Sequence, residues 1–289
     1  MEAKPGLHQR NLHRNGYDFG DLLRVSPELK AFVYVNKYGA RAIDFSDSRA
    51  VKVFNQTLLR RFYGVESWDV PENHLCPPVP GRADYVHHLA DLLGDGARRV
   101  LDIGTGANCI YPLLGVKIYG WSFVATDIDP RALRWAEKII GSDEGLRRAI
   151  TLRFQPHPDR IFTGVVDDGD SFAASMCNPP FHASPQDAAK GTLRKWKSLG
   201  KDLTTELNFG GKATELWCPG GELAFISRMV KESSEFRDRI RWFTTLVSKE
   251  SNLPVFQRLL RSAAVRDSRI IEMAQGQKRS RILAWTFRD

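Results

Sequence analysis

The sequence predicts an α/β fold: a mostly parallel sheet with helices on both faces, an antiparallel hairpin at its carboxyl end and a small amino-terminal segment in front. Three observations predict it. Apolar runs of strand length alternate with amphipathic stretches of helix length from residue 82 onward. A glycine-bearing turn, Gly104-Thr105-Gly106, directly follows the first of these strands. The last two β-like runs are separated by a short polar segment. A chain of 289 residues accommodates one such unit of about 200 residues plus a smaller attached segment.

Residues 1–80 differ in texture from the rest. They open with a polar, basic stretch (His8, Arg10, Asn11, His13, Arg14) and close with Cys76-Pro77-Pro78-Val79-Pro80-Gly81, expected to be non-helical because of its prolines. A boundary near residue 81 follows, with 81–289 as the α/β unit. Val86, Leu89, Ala90 and Leu93 then share one face of a helix running from Arg82. After Gly94-Asp95-Gly96, Val100 to Ile103 reads as a buried strand, and Ser122 to Thr126 as a second that closes with Asp127. Asp129-Pro130 supplies an N-cap and a first-turn proline for a helix carrying Leu133, Ala136 and Ile140 inward. Strands at 150–154, 172–177 and 241–247 alternate with helices at 221–236 and about Phe256 to Ala263, and runs at 268–272 and 281–287 form the hairpin. Between them, residues 183–218 read as an inserted loop bearing Lys190, Arg194, Lys195, Trp196 and Lys197, directly after a strand with a candidate site.

At 42% hydrophobic and 26% charged residues the composition is that of a soluble globular protein. No apolar run approaches the roughly 18 residues that cross a bilayer, and Met1 to Arg14 lacks the apolar core of a secretory signal, so a cytoplasmic protein is expected. Cys76, Cys109, Cys177 and Cys218 lie far apart with no C-x-x-C pair, which argues for reduced thiols and no metal. A net charge of +8 favours a polyanionic partner without naming one.

Asp102-Ile103-Gly104-Thr105-Gly106-Ala107-Asn108 sits where an open α/β sheet places its ligand crevice. Cys109 stands where a dinucleotide fingerprint wants a third glycine, which weakens a nicotinamide reading. Asp127, at the end of the second strand, is placed to accept hydrogen bonds from the ribose hydroxyls of an adenosine cofactor such as S-adenosylmethionine. The glycines could instead make only a tight turn, and Asp127 could cap the helix, a task for which Asp129 is better placed.

Asn178-Pro179-Pro180-Phe181 follows the fourth strand of the sheet and projects toward the same crevice. An adenine amine is a poor nucleophile because its lone pair is delocalised into the ring. Two acceptors, the Asn178 side-chain oxygen and the Pro179 carbonyl, would localise that lone pair, while Phe181 stacks on the base; proline stiffness serves the alignment. No general base is required, and orientation carries most of the rate, within about 7–11 kcal/mol. The bland alternative is a strand-ending turn with a core phenylalanine.

These residues carry a resemblance. Pro80 to Tyr85, Asp102 to Leu114 (DIGTGANCIYPLL), Cys177 to His182 (CNPPFH), Leu207 to Glu222 and Met273 to Phe287 closely resemble the RlmF family of bacterial 23S ribosomal RNA adenine N6-methyltransferases, over nearly the whole chain. The resemblance implies a Rossmann-like methyltransferase sheet, S-adenosyl-L-methionine as cofactor, and one adenine of 23S rRNA, free or in a large-subunit assembly intermediate, as substrate. It places Arg82 beside the methionine carboxylate, a charge-assisted pair that suits a guanidinium, and the cofactor adenine near Gln155 to His157. Eukaryotic relatives have serine in place of Asn108, so a polar cofactor contact is expected there without a defined form. Residues 1–80 are then an RNA-contacting segment, and the loop lysines and arginines with Lys278, Arg279 and Arg281 are candidates for phosphate contacts, with Trp196 for base stacking. The rivals are an N6-adenine methyltransferase of another RNA or of DNA, a protein-glutamine methyltransferase, and a non-catalytic RNA-binding relative.

Overall fold

The computed structural model describes residues 6–72, 74, 76–96, 98–187, 216–275 and 278–289. In chain order the elements are α1 (Phe19–Val25), a short hairpin β1 (Val33–Val35) and β2 (Arg41–Ile43), α2 (Ser48–Tyr63), α3 (Val79–Leu93), β3 (Arg99–Ile103), α4 (Ile110–Tyr119), β4 (Ser122–Asp127), α5 (Pro130–Gly141), α6 (Glu144–Ala149), β5 (Ile150–Phe154), β6 (Phe172–Cys177), α7 (Gly221–Ser233), β7 (Ile240–Val247), α8 (Leu253–Ser262), β8 (Asp267–Gln275) and β9 (Lys278–Thr286). None of the described helices is long and apolar enough to cross a membrane.

Seven strands form one sheet in the order β5-β4-β3-β6-β7-β9-β8, parallel from β5 to β7 and antiparallel across β7-β9 and β9-β8. The chain leaves β3 toward β4 and β5 and then crosses back to β6, so a topological switch point opens between the carboxyl ends of β3 and β6. Alternation of side chains sorts the strands onto two cores. Val100, Phe123, Ala125, Ala174 and Met176 pack with α2 to α6 on one face; Leu101, Ile103, Val124, Phe172 and Phe243 pack with Ile226 and Met229 of α7 and Phe256 and Leu260 of α8 on the other.

Two expectations are revised. The proline-rich stretch is partly helical: α3 begins at Val79 and takes in Pro80 and Gly81, because the first turn of a helix has no use for the missing proline N–H. The hairpin strands are longer than expected, each gaining residues toward the turn. The basic start packs against α3 and α2. His8 N–H and Asn11 Nδ2 both donate to buried Asp84 of α3 (2.6 and 3.1 Å), and His13 is buried against Tyr63. Residues of α1 and α2 share one hydrophobic core with α3 and α4.

The α4-β4 contact is close enough to exclude a methyl group. A Cβ on Gly115 would lie 2.5 Å from Phe123 Cε2 and 3.3 Å from Trp121 Cε3, both on fully buried rings. Gly115→Ala is therefore expected to destabilise the fold by about 1–3 kcal/mol through overpacking, measured as a lower urea midpoint; an unchanged midpoint would show that α4 shifts freely on the sheet.

Candidate active site

A cavity of about 500 Å³ opens at the switch point. Its floor is the glycine turn, and one wall is Thr126, Asp127 and Ile128 continued by Gln155 and Pro158 to Ile161. The opposite wall is Asn178, Pro180, Trp217, Cys218 and Phe225, while Arg82, Asn108 and Tyr111 complete the enclosure.

The turn is conformational in origin. Gly104 and Gly106 adopt φ +74° and +65°, and an added Cβ at Gly104 would meet nothing within 4 Å, so backbone geometry rather than crowding selects glycine there. Cys109 also has positive φ (+49°), a left-handed N-cap for α4 in a residue other than glycine. Two bonds brace this stretch: Asn108 Oδ1 accepts the Ile110 N–H (3.1 Å), and Trp68 Nε1 donates to the Asn108 carbonyl (2.8 Å).

Asp127 ties the strand ends together. One carboxylate oxygen accepts the Gly106 N–H and the other the Asp129 N–H, both at 2.8 Å, and the Asp127 carbonyl accepts the Gln155 N–H at 2.9 Å. Capping of α5 falls to Asp129, which accepts the Arg131 N–H. Burial raises the Asp127 carboxyl above its ordinary value, with the backbone donors acting against the shift.

Asp102 does not line the cavity. It is fully buried behind the glycine turn, and neither carboxylate oxygen has a hydrogen-bond partner. Burial, with a smaller contribution from Asp127, pushes it up to about 7, while the nearby Thr105 hydroxyl and Arg82 guanidinium oppose the shift. Arg82 gives Nη1 to the Tyr111 hydroxyl (2.6 Å) and lies over the Tyr111 ring, leaving its buried Nε without an acceptor.

The Asn178 corner leaves β6 into the cavity. Cys177 N–H donates to the Tyr85 hydroxyl (3.4 Å), which is paired with Thr244 (2.7 Å), so α3 and β7 both fix where the corner begins. Asn178 is half-buried with its Oδ1 covered and lacking a donor. Among the described residues the corner lines the cavity through Asn178 and Pro180; Pro179 is buried, and Phe181, half-buried, stands outside the lining.

Unpaired buried polar atoms collect here: Arg82 Nε, both Asp102 oxygens, Thr105 Oγ1, Asn178 Oδ1 and Trp217 Nε1. Interiors pair nearly all such atoms, so their concentration around one cavity marks a place shaped for a polar ligand. Gln155, in the stretch expected to meet a cofactor adenine, lines the cavity and keeps its own amide occupied with Thr163 O (3.0 Å) and the His157 N–H (2.9 Å). Trp217, Phe225, Arg160 and Arg228 were not foreseen, and no local spacing signals them. Lys190, Arg194, Lys195, Trp196 and Lys197 lie outside the described residues. Arg281 is no free cation: it is buried between Glu272 (2.8 Å) and Glu250 (2.6 Å).

Comparison with known proteins places this geometry in context. A family model described as RNA methyltransferase matches residues 1–289. The chain is 51% identical to "Ribosomal RNA large subunit methyltransferase F" of Pectobacterium carotovorum subsp. carotovorum (strain PC1), covering 99% of this chain and 94% of that protein. It is also 51% identical to the protein of that name from Pseudomonas savastanoi pv. phaseolicola, covering 99% and 91%. Among solved structures, the hMettl16 catalytic domain in complex with MAT2A 3'UTR hairpin 1 superposes with a TM-score of 0.86 at 34% identity, covering 98% of this chain and 96% of that one. The N-terminal domain of human METTL16 in complex with SAH gives 0.80 at 30% identity, covering 98% and 100%.

The Asp102 environment has a pH signature. A carboxyl with a folded pKa of about 7, against an ordinary 3.8, binds its proton more tightly when folded. Its contribution to stability is thus present at low pH and lost as pH rises from about 4 to about 7. Asp102→Asn is expected to melt higher than the parent at pH 8 and to converge with it near pH 4; thermal melts showing a constant offset between the two across that range would contradict this account of the buried carboxyl.

Proposed function

Because the chain belongs to this RNA methyltransferase family, we propose that it is the large-subunit enzyme that methylates the N6 amine of one adenine in 23S rRNA, with S-adenosyl-L-methionine as donor. The observation that carries the reading is the set of unpaired buried polar atoms around the switch-point cavity. When bound, S-adenosylmethionine supplies a methyl group made electrophilic by a positively charged sulfonium. A net charge of +8 suits a polyanionic substrate, and the reaction belongs in the cytoplasm, where large subunits are assembled.

The residues fit that cofactor. Arg82 has an N–H free to meet the amino-acid carboxylate. Gly104 and Gly106 let backbone approach the ligand without side chains, and Thr105 offers a hydroxyl without a partner. Asp102, buried behind them, backs the turn without lining the cavity. Asp127 uses one lone pair on each oxygen for backbone donors, and each oxygen can still accept from a ribose hydroxyl. Asn108 contributes by shaping the loop, since its side-chain oxygen already accepts the Ile110 N–H.

The catalytic step is alignment. Asn178 Oδ1 accepts one amine hydrogen and the Pro179 carbonyl accepts the other. The amine lone pair is thereby held out of the ring and directed at the methyl carbon, with the two prolines limiting backbone drift. Phe181, outside the lining, stacks on the incoming base. The surplus amine proton leaves to water after transfer, so no side chain need act as general base.

Asn178→Ala is expected to bind S-adenosylmethionine within about twofold of the parent, by calorimetry, and to lose roughly 10²–10³ in the rate of methyl transfer, the scale of deleting one aligned polar group. Transfer of labelled methyl to protein-free 23S rRNA, assembly intermediates and assembled subunits measures the rate and identifies the substrate. Undiminished transfer by the variant would remove Asn178 from the mechanism, and label appearing in none of these RNAs would refute the proposed substrate.

A further inference from the structure

The roles above use the unpaired atoms of Arg82, Thr105 and Asn178, and leave one on the cavity wall without a purpose: the indole N–H of Trp217, buried and without an acceptor. Trp217 lies far along the chain from the Asn178 corner, yet a parallel bridge joins it to His182, the residue after Phe181. His182 N–H donates to Leu216 O (3.0 Å), and Cys218 N–H returns to His182 O (3.1 Å). Gly221 secures the same junction: at φ +59° it sits so close that an added Cβ would stand 3.0 Å from Ala183 N and His182 C. The Trp217 ring is thereby held beside the corner that presents Asn178, on a wall it shares with Pro180 and Phe225.

An indole N–H donates and never accepts. Adenine presents its exocyclic amine between two ring-nitrogen acceptors, N1 and N7, whereas the Watson–Crick edge of guanine reverses the pattern, with a carbonyl beside an N1–H. A wall offering an acceptor (Asn178) next to a fixed donor is complementary to the adenine arrangement. Resting on the adenine reading of this cavity, we propose that Trp217 is a specificity-determining residue whose Nε1–H donates to a ring nitrogen flanking the target amine, while its ring forms one side of the base slot.

The test pairs Trp217→Phe, which keeps an aromatic ring and removes the donor, with RNA carrying 1-deazaadenine or 7-deazaadenine at the methylated position. The parent enzyme is expected to lose roughly tenfold in kcat/KM on the analogue lacking the contacted nitrogen, the scale of one hydrogen bond to a buried partner. Trp217→Phe is expected to lose a similar factor on natural RNA and nothing further on that analogue, with KM for S-adenosylmethionine unchanged. A parent enzyme that methylates both analogues at the natural rate overturns the proposal, even if the variant fails to fold; so does a variant equal to the parent on natural RNA. Absence of transfer from the parent enzyme to natural RNA would refute instead the functional reading on which the proposal stands.

Discussion

The Asp127 carboxylate is the constraint on which the site depends. A strand end offers unpaired backbone groups, and here three parallel strands end together with no further sheet to satisfy them. Asp127 accepts from Gly106 and Asp129, Thr126 O accepts the N–H groups of Gly104 and Thr105 (3.0 and 2.8 Å), and Asp127 O accepts from Gln155. The glycine turn is held by β4 rather than by its own propensity. Gly104 and Gly106 adopt positive φ freely, whereas Cys109, which is not glycine, does so at a cost in conformational energy.

Further bracing comes from both ends of the chain. Trp68, in the amino-terminal segment, is buried and ties the Asn108 carbonyl. Glu232 of α7, also buried, accepts three consecutive backbone N–H groups from Ile161, Phe162 and Thr163 (2.8, 3.0 and 2.7 Å), fixing the loop that walls the cavity beyond Gln155. The segment before α3 is thus part of the frame around the glycine turn. Its first basic residues are largely engaged in holding it there, Arg10 through Asp91 and the Tyr119 hydroxyl. Bracing from segments this far apart makes the cavity a property of the whole fold, and it explains how a pocket can keep so many unpaired polar atoms without collapsing.

Much of the framework was legible in sequence because it is governed locally. The alternation of strand-length and helix-length apolar patterns, the Asp129-Pro130 start of α5 and the terminal hairpin follow from side-chain periodicity and capping, which act over a few residues. α3 starts three residues before the position that periodicity predicts, because proline breaks a helix interior but is tolerated in the first turn. Asn178 was legible as a strand-end residue, since strand length and the turn motif together place it at the crevice.

What the sequence by itself determined is which residues end the strands at the switch point: the glycine turn, Asp127 and the Asn178 corner. Tertiary structure alone decided what those residues face. It placed Asp102 behind the turn rather than in the cavity, left Phe181 outside the lining, enclosed Arg281 between two glutamates, and returned Trp217 to the site by a bridge to His182. Each of these is set by contacts between residues distant in the chain, and periodicity and propensity carry no term for such contacts; burial, pairing and charge are properties of neighbours that only the folded chain brings together.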